Sequence, residues 1–356
     1  MKFFPLGIGE RLGNISKKIS TLRVPFDSIF RPIKRIQIMS ANAETVHRRP
    51  LMSRRKAILE RVKFYFRFIS KDKAALVGLF VVILFLSWSI VEGLLQLIDT
   101  FIPRAQFGFL LLGENPLLSE FSRSMGAPSF QAVNSIFGFD FNGGSIFLRI
   151  LYAAPRDAAA AIIVVSSGIL IGMFVGTASA YFGGWIEQLF MRSTDAFLAV
   201  PALVLAIAIG FVVGTGFSSV LIALMIVWWP TYARFFRAQA LALKNRGYVD
   251  EAKLSGVGSG RILLRHIIPN SIDPIIAYAT LDIGNVILTY SALAFLGIGV
   301  QPPVPEWGAM AFNGLSYFPQ SWWWSLFPGL IILAVVIAFT VVGDRVQDLI
   351  SGRTNY

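Results

Sequence analysis

Long apolar stretches alternate with shorter polar segments along the chain, and the polar segments hold most of the charged residues. A membrane-spanning helix needs about 20 mostly apolar residues to cross a hydrocarbon core of roughly 30 Å. Six stretches meet or approach this length, at residues 76–98, 158–181, 196–213, 217–233, 274–296 and 324–342. The pattern therefore predicts an all-α protein of the cell membrane with six transmembrane helices.

The ends of these six stretches differ in their content of lysine and arginine. Eight basic residues lie between residues 54 and 73, and seven lie between residues 234 and 265. Only Arg104 and Arg123 occur between residues 99 and 145. Because lysine and arginine concentrate in cytoplasmic connections, we expect both termini and the connection between the fourth and fifth helices to be cytoplasmic.

This topology divides the chain into five segments. They are a basic cytoplasmic N-terminal region (1–73), a first transmembrane helix (74–98), an extracytoplasmic segment (99–150), a core of five helices (151–348) with a cytoplasmic loop at 236–270, and a cytoplasmic tail (349–356). The first segment holds 18 basic and 5 acidic residues, whereas the rest of the chain holds 14 and 15. That segment is either a solvated tail or, over residues 48–73, a basic amphipathic helix on anionic lipid.

Composition excludes several classes of protein. Of the 356 residues, 55% are hydrophobic and 15% are charged, and the mean hydropathy is +0.65. Soluble domains carry about 25% charged residues. The chain has no cysteine for a disulfide or a thiolate site, and its two histidines are too few for a zinc cluster. The sequence G-x-x-x-x-G-K-[ST] of a phosphate-binding loop is also missing. We therefore expect no catalytic residues, no metal and no bound cofactor in this chain.

Two acidic residues fall inside predicted spans, where a charge marks a candidate functional site. Asp282 lies about a third of the way into the fifth span. It either accepts a hydrogen bond from a neighbouring helix or contacts a substrate. Glu92 lies near the end of the first span, where closeness to the membrane interface accounts for its charge.

The connection between the fourth and fifth spans is too long and too regularly patterned for a simple loop. Residues 234–244 are expected to continue the fourth helix, which Gly247 then ends in a left-handed conformation. Residues 248–255 predict a short surface helix that ends at Gly256. Helical character then resumes and is expected to stop at Pro269, just before the fifth span. A short surface helix of this kind can insert into a groove on a partner protein.

The same connection carries a resemblance to a known family. Tyr248-Val-Asp-Glu-Ala-Lys-Leu-Ser-Gly256, followed thirteen residues later by Pro269, resembles the E-A-A-x-x-x-G loop of ABC importer permeases of the dipeptide and oligopeptide type. The tail Arg265-His-Ile-Ile-Pro-Asn270 is similar to the R-H-I-L-P-N common in that family. Further stretches match the family in the right order, at residues 137–152, 181–201, 293–303 and 306–308.

The resemblance implies one half of the membrane channel of an ABC importer. The implied partners are a second homologous permease, two cytoplasmic ATPase subunits, an extracytoplasmic solute-binding protein and the lipid bilayer, with no nucleic acid. ATP and Mg would bind to the ATPase subunits, which would carry out the hydrolysis. The residues implied in docking the ATPase are Asp250, Glu251, Ala252, Gly256, His266 and Pro269. Asp282 and Tyr290 are expected to line the pathway.

The chain also departs from the family pattern. The leading E-A-A reads Asp250-Glu251-Ala252, which adds a charge and suggests an ATPase adapted to it. Tyr290 stands where the family often carries a glutamate. The resemblance favours dipeptides or oligopeptides as substrate, with oligosaccharides or another small solute as the alternative. A secondary transporter or channel is less favoured. Such folds carry broken helices at matching positions of two repeats, and this sequence shows no internal repeat.

Overall fold

The computed structural model of the chain describes residues 72–102, 109 and 111–351. Every regular element in these residues is helical, apart from one isolated β-bridge between Phe139 and Ser145. The all-α fold predicted from the apolar pattern is thereby confirmed. Nearly all of the basic N-terminal region, including its candidate amphipathic helix, lies outside the described residues.

Ten α-helices follow one another in the part of the chain that the structure describes. They are α1 (Lys73–Phe101), α2 (Ile146–Phe182), α3 (Gly184–Leu198), α4 (Ala202–Val213), α5 (Phe217–Lys244), α6 (Gly247–Leu254), α7 (Ser259–Ile262), α8 (Ile268–Phe295), α9 (Trp307–Leu315) and α10 (Trp322–Ser351). A π-helical turn, Leu263–Ile267, joins α7 to α8.

Five helices are long and apolar enough to cross a membrane: α1, α2, α5, the continuous helix Ser259–Phe295, and α10. The pair α3 and α4 is bent by 89° and makes a sixth crossing if the pair counts as one span. The predicted third span is therefore not one straight helix. Pro201 precedes α4 with φ −53° and ψ 129°, an extended conformation that interrupts the helix. The 12 residues of α4 reach only about 18 Å.

The helix bundle has two ends, which we call the α6 end and the α9 end after the short helix at each. Helix α5 ends and the helix containing α8 begins beside α6, whereas α8 ends and α10 begins beside α9. Asp72 at the start of α1 forms an ion pair with Arg345 near the end of α10, so these two termini meet at the α6 end. At the α9 end, Trp323 Nε1 donates to the Phe139 carbonyl at 3.3 Å.

Helix α2 lies at the centre of the bundle and packs most closely against α5. Its glycines face α5 at intervals of four residues, and a Cβ added to Gly176 would lie 2.3 Å from the Ala233 carbonyl oxygen. A Cβ added to Gly172 would lie 2.5 Å from Tyr232 Cβ. Such small residues allow close approach of helix backbones in membranes. The backbones of α2 and α5 are therefore in close contact along this stretch.

Candidate functional site

The end of α5 is anchored on the end of α2. Lys244, in the last turn of α5, donates from Nζ to the carbonyl oxygens of Ala180 at 3.0 Å and Tyr181 at 2.8 Å. These carbonyls belong to the last turn of α2, where backbone acceptors lack helical partners and a cation is favourable. The predicted continuation of the fourth span to residue 244 is confirmed.

Helix α6 begins directly after α5 and is the short surface helix predicted from the sequence. Gly247 is the first residue of α6 and has no left-handed conformation. The expectation that Gly247 ends the preceding helix is therefore wrong. Arg246 makes the bend instead, with φ −84° and ψ 140°. Asp250 lies in the first turn of α6, near the positive end of its dipole, and pairs with Lys253 Nζ at 2.8 Å.

Gly256 ends α6, as predicted. Its φ is +74°, in the left-handed region that side chains other than glycine rarely adopt. The Gly256 amide donates to the Lys253 carbonyl and the Val257 amide donates to the Ala252 carbonyl, both at 3.0 Å. These two bonds form a complete Schellman motif.

The two faces of α6 differ sharply in exposure. Val249 and Ala252 are buried in a small apolar cluster with Ala180 of α2, Ala240 of α5 and Ile262 of α7. The other face leaves its acidic and apolar side chains open, at Asp250, Glu251 and Leu254. Leu254 is 89% exposed. This leucine was not among the residues singled out from the sequence, and only the position of α6 in the fold reveals its exposure.

The predicted docking residues are brought together only in part. Asp250, Glu251 and Ala252 share α6, and the His266 ring lies 6.3 Å from the Tyr248 ring at the start of that helix. Pro269 lies in the first turn of α8. Asp250, Glu251, Gly256 and Pro269 are exposed, whereas Ala252 is buried and His266 is partly buried.

Pro269 does not end a helix, contrary to expectation. The chain stays helical from Ser259 to Phe295. The π-helical turn Leu263–Ile267 lies immediately before the proline, and the Ile268 amide donates to the Leu263 carbonyl, five residues back. The wider turn accommodates a residue that lacks an N–H and would otherwise break the helix.

Two ion pairs join α3 to α5 near the α6 end, and we call them the α3–α5 clasp. Arg234 contacts Asp195 at 2.6 Å. Arg237 Nε donates to Glu187 Oε1 at 2.8 Å. The clasp connects the bent α3–α4 pair to the helix that leads into α6. Sequence reasoning did not identify these pairs, because 39 and 50 residues separate their members.

Asp282, one of the two candidate pathway residues, is buried between α8 and α5. It accepts hydrogen bonds from Trp228 Nε1 at 2.7 Å and from the Tyr232 hydroxyl at 2.9 Å. The interpretation of Asp282 as a partner of a neighbouring helix therefore matches its contacts. Tyr290, the second candidate, is 0% exposed. That either residue lines a pathway stays a prediction.

Glu92 was interpreted as a charge near the membrane interface, and its depth in the membrane stays a prediction. The residue is 0% exposed. Its Oε1 accepts a hydrogen bond from Gln96 Nε2 at 3.0 Å, and the same amide reaches the Tyr152 carbonyl of α2. Glu92 is thus enclosed by protein. This burial could not be predicted, because the hydropathy of α1 alone does not show which of its faces α2 covers.

Comparison with known proteins agrees with this architecture. Residues 168–356 match the family described as "Binding-protein-dependent transport system inner membrane component". The chain is 35% identical to the dipeptide transport system permease protein of Alkalihalophilus pseudofirmus over 288 aligned residues. These residues make up 81% of this chain and 88% of that protein. The chain is 37% identical over 217 residues to the probable D,D-dipeptide transport system permease protein of Escherichia coli K12, covering 61% and 73%.

A glutathione transport system permease protein of Pectobacterium atrosepticum is 37% identical over 216 residues, covering 61% of this chain and 72% of that protein. The chain belongs to the family of inner-membrane components of binding-protein-dependent transport systems. It is a permease subunit in the cell membrane, and the resemblance to ABC importer permeases is confirmed.

Proposed function

We propose that this permease subunit forms half of the pathway of an ATP-driven importer of dipeptides or oligopeptides, and that α6 docks an ATPase subunit. The peptide substrate is supported by relatives named for dipeptide, D,D-dipeptide and glutathione transport. The complete importer would contain a second related permease, two ATPase subunits that bind ATP and Mg, and an extracytoplasmic binding protein. Hydrolysis would take place only in the ATPase subunits.

The observation that carries the docking proposal is the two-sided environment of α6. One face of α6 packs on α2, α5 and α7 through Val249 and Ala252. The opposite face presents Asp250, Glu251 and the 89% exposed Leu254 to solvent. The exposed Leu254 fits an apolar groove on a partner protein, and Asp250 and Glu251 fit basic residues at the edges of that groove.

Docking at α6 would act on the spans because both ends of α6 are tied to them. Two residues connect α5 to α6, and Lys244 at the end of α5 donates hydrogen bonds to the end of α2. The α3–α5 clasp extends the connection to α3. A partner that changes shape with ATP would bias the bundle between two states, to the extent that it binds one state more tightly.

The proposal requires the α6 end, with both chain termini, to be cytoplasmic and residues 99–150 to be extracytoplasmic. The excess of lysine and arginine at the α6 end supports this orientation. The chain has no cysteine, so single cysteines at the exposed positions Ser259 and Ser122 can be labelled without background. We expect a membrane-impermeant maleimide to label Ser122→Cys on intact cells and Ser259→Cys only after lysis. The reverse pattern would overturn the orientation.

The docking role is tested by reversing the charge of Asp250. In Asp250→Lys, the ATPase should co-purify with the permeases several-fold less well, because a basic rim would repel the new charge. Glu120→Lys is the matched control, since Glu120 is also exposed and pairs with a basic residue three positions later, Arg123. Equal loss of the ATPase in both variants would refute docking at α6.

Coupling is tested at the end of α6. Gly256→Val places a β-branched residue at φ +74°, which costs about 1–2 kcal/mol or more of backbone strain. We expect insertion to be preserved, while the ratio of solute transported to ATP hydrolysed falls in proteoliposomes containing the complete importer. An unchanged ratio, with normal expression, would contradict the coupling role.

The substrate is tested with the same proteoliposomes and the cognate binding protein. Labelled dipeptides and oligopeptides should accumulate, and unlabelled peptides should compete with them. Uptake of oligosaccharides without uptake of peptides would keep the importer and reject the peptide assignment. Accumulation without any ATPase subunit would favour a secondary transporter instead.

A further inference from the structure

A group of buried polar side chains lies toward the α9 end of the bundle, apart from α6 and the α3–α5 clasp. Its members come from α1, α2 and α8, and each has at least one buried polar atom that no other protein group satisfies by a hydrogen bond. They are Ser89, Glu92, Arg156, Asp157, Tyr290 and Ser291. Buried polar groups are ordinarily hydrogen-bonded, and each exception requires an explanation.

Asp157 is the most extreme member of this group. It is 0% exposed, and neither of its carboxyl oxygens receives a hydrogen bond from an N–H or hydroxyl group. The group within hydrogen-bond reach is another carboxyl, that of Glu306 at the start of α9. Two carboxyl groups can bond to each other only when one of them carries a proton.

Glu306 is equally buried but has its own donors. It is 0% exposed, and its two oxygens accept hydrogen bonds from the amides of Gly308 at 3.0 Å and Ala309 at 2.7 Å. It thereby caps the N-terminus of α9, where backbone amides favour a negative charge. Burial nevertheless raises the pKa of Glu306 above its usual range.

The charges around the two carboxyls are few. Among the described residues, Arg156 of α2 and Tyr290 of α8 are the other ionisable groups beside the two carboxyls. One guanidinium group can balance one carboxylate but not two. Because like charges in a desolvated site cannot all persist, at least one carboxyl must be neutral. Asp157 has no donor to stabilise a negative charge, whereas Glu306 has two.

We propose that Asp157 and Glu306 form a proton-binding pair, in which a protonated Asp157 donates a hydrogen bond to the ionised Glu306. The pair carries one proton and one negative charge, and Arg156 supplies the balancing positive charge. The remaining described residues add no third ligand at the pair, since no group of three or more His, Cys, Asp or Glu among them is arranged for a metal ion.

The pair positions α9 against α2. At the same contact between α9 and α2, Trp307 is 1% exposed and donates from Nε1 to the Ile150 carbonyl at 2.9 Å. Gly308 lies so close to α8 that a Cβ there would be 1.9 Å from the Ser291 carbonyl oxygen. Loss of the proton from Asp157 would place a second negative charge where α9 packs tightly against α2 and α8. Asp157 and Glu306 are therefore positioning residues rather than contacts for a transported solute.

The proton is detected by infrared spectroscopy of the complete importer in lipid nanodiscs at neutral pH. The wild type minus Asp157→Asn difference spectrum should contain the carbonyl band of one protonated carboxyl. Asp348→Asn removes a partly exposed carboxyl group of α10, and its difference spectrum should lack the band of a protonated carboxyl. Loss of only an ionised-carboxylate band in Asp157→Asn would overturn the proposal.

Glu306→Gln tests the assignment of the proton within the pair, and it serves also if Asp157→Asn fails to assemble. A protonated carboxyl should remain in Glu306→Gln, with its band shifted because the acceptor is now an amide. Disappearance of that band would place the proton on Glu306 and overturn the assignment. An unshifted band would show that the two groups do not bond to each other.

The infrared band is a readout that a merely structural role of Asp157 would not move, because the band reports the proton itself. It is measured without a transport substrate, so failure of the transport assays leaves this test intact.

Discussion

The two ends of the bundle use ion pairs in opposite ways. At the α6 end, the side chains of Asp250 and Lys253 are 56% and 41% exposed. At the α9 end, Arg149 pairs with Asp140, and their side chains are only 12% and 2% exposed. Charges at the α6 end are accessible to a partner, whereas the charge pair at the α9 end holds the chain segment before α2 onto the bundle.

This difference determines which end depends on its charges for stability. An exposed pair contributes about 0–1 kcal/mol, because water already solvates both charges. Removing one partner of a buried pair costs about 3–5 kcal/mol, because the remaining charge is left without compensation in a desolvated place. Substituting the buried Arg149 should therefore destabilise the α9 end, whereas substituting the exposed Asp250 should leave the α6 end folded but altered in its partner contacts.

The largest expected effect is at Arg149. Its guanidinium also donates from Nε to the Pro116 carbonyl at 2.9 Å, so Arg149→Met breaks two connections between α2 and the segment before it. We expect a loss of about 3–5 kcal/mol in stability, measured as a lower unfolding temperature of the purified protein. The matched control is Arg123→Met in the same segment, where the pair with Glu114 is 37% and 35% exposed. Equal losses in the two variants would refute the comparison.

Much of this architecture could be predicted from hydropathy alone. The apolar stretches located α1, α2, α5, α8 and α10, because a membrane span must be apolar over its whole length whatever its neighbours. The cap at Gly256 was also predictable, since a left-handed residue at a helix end is a local requirement of the backbone.

The features that sequence reasoning missed depend on distant contacts or on compensation by neighbouring turns. Pro269 was expected to end a helix, but the π-helical turn before it absorbs the missing N–H. Glu92 and Asp157 are buried by helices distant in the chain, and no periodicity in α1 or α2 reveals which partner faces them. The bend at Pro201 was missed because residues 196–213 are apolar on both sides of the break.

The next largest effect is expected at the α3–α5 clasp. Glu187 and Arg237 are 26% and 37% exposed, between the two extremes compared above. Arg237→Glu should lower stability by about 1 kcal/mol and weaken the link from α5 to α3. The double variant Glu187→Arg with Arg237→Glu restores opposite charges and should recover both stability and the ratio of transport to ATP hydrolysis. If the double variant is worse than the sum of the two single variants, the clasp is not a direct interaction.

The smallest expected effect is at Asp72 and Arg345, which join the first and last helices at the α6 end. The hydrogen bond from Arg345, with a second from the Ala74 amide, lowers the pKa of the Asp72 carboxyl below its usual value. A lowered pKa means that the folded state binds the proton less tightly than the unfolded chain does. The pair therefore stabilises the protein above the unfolded pKa and loses this contribution as pH falls through the folded value.

The stability deficit of Arg345→Gln relative to wild type should accordingly be constant from neutral pH to about pH 4 and shrink at lower pH. Arg345 also contacts Asp348 at 3.7 Å, so Asp348→Asn is the control that removes only this second contact. Unfolding temperatures measured across the acidic range separate the two contributions. A deficit of Arg345→Gln that persists unchanged below the pKa of Asp72 would mean that the arginine acts through packing of its alkyl chain. In that case the α6 end would resemble the α9 end more than the exposure of its charges implies.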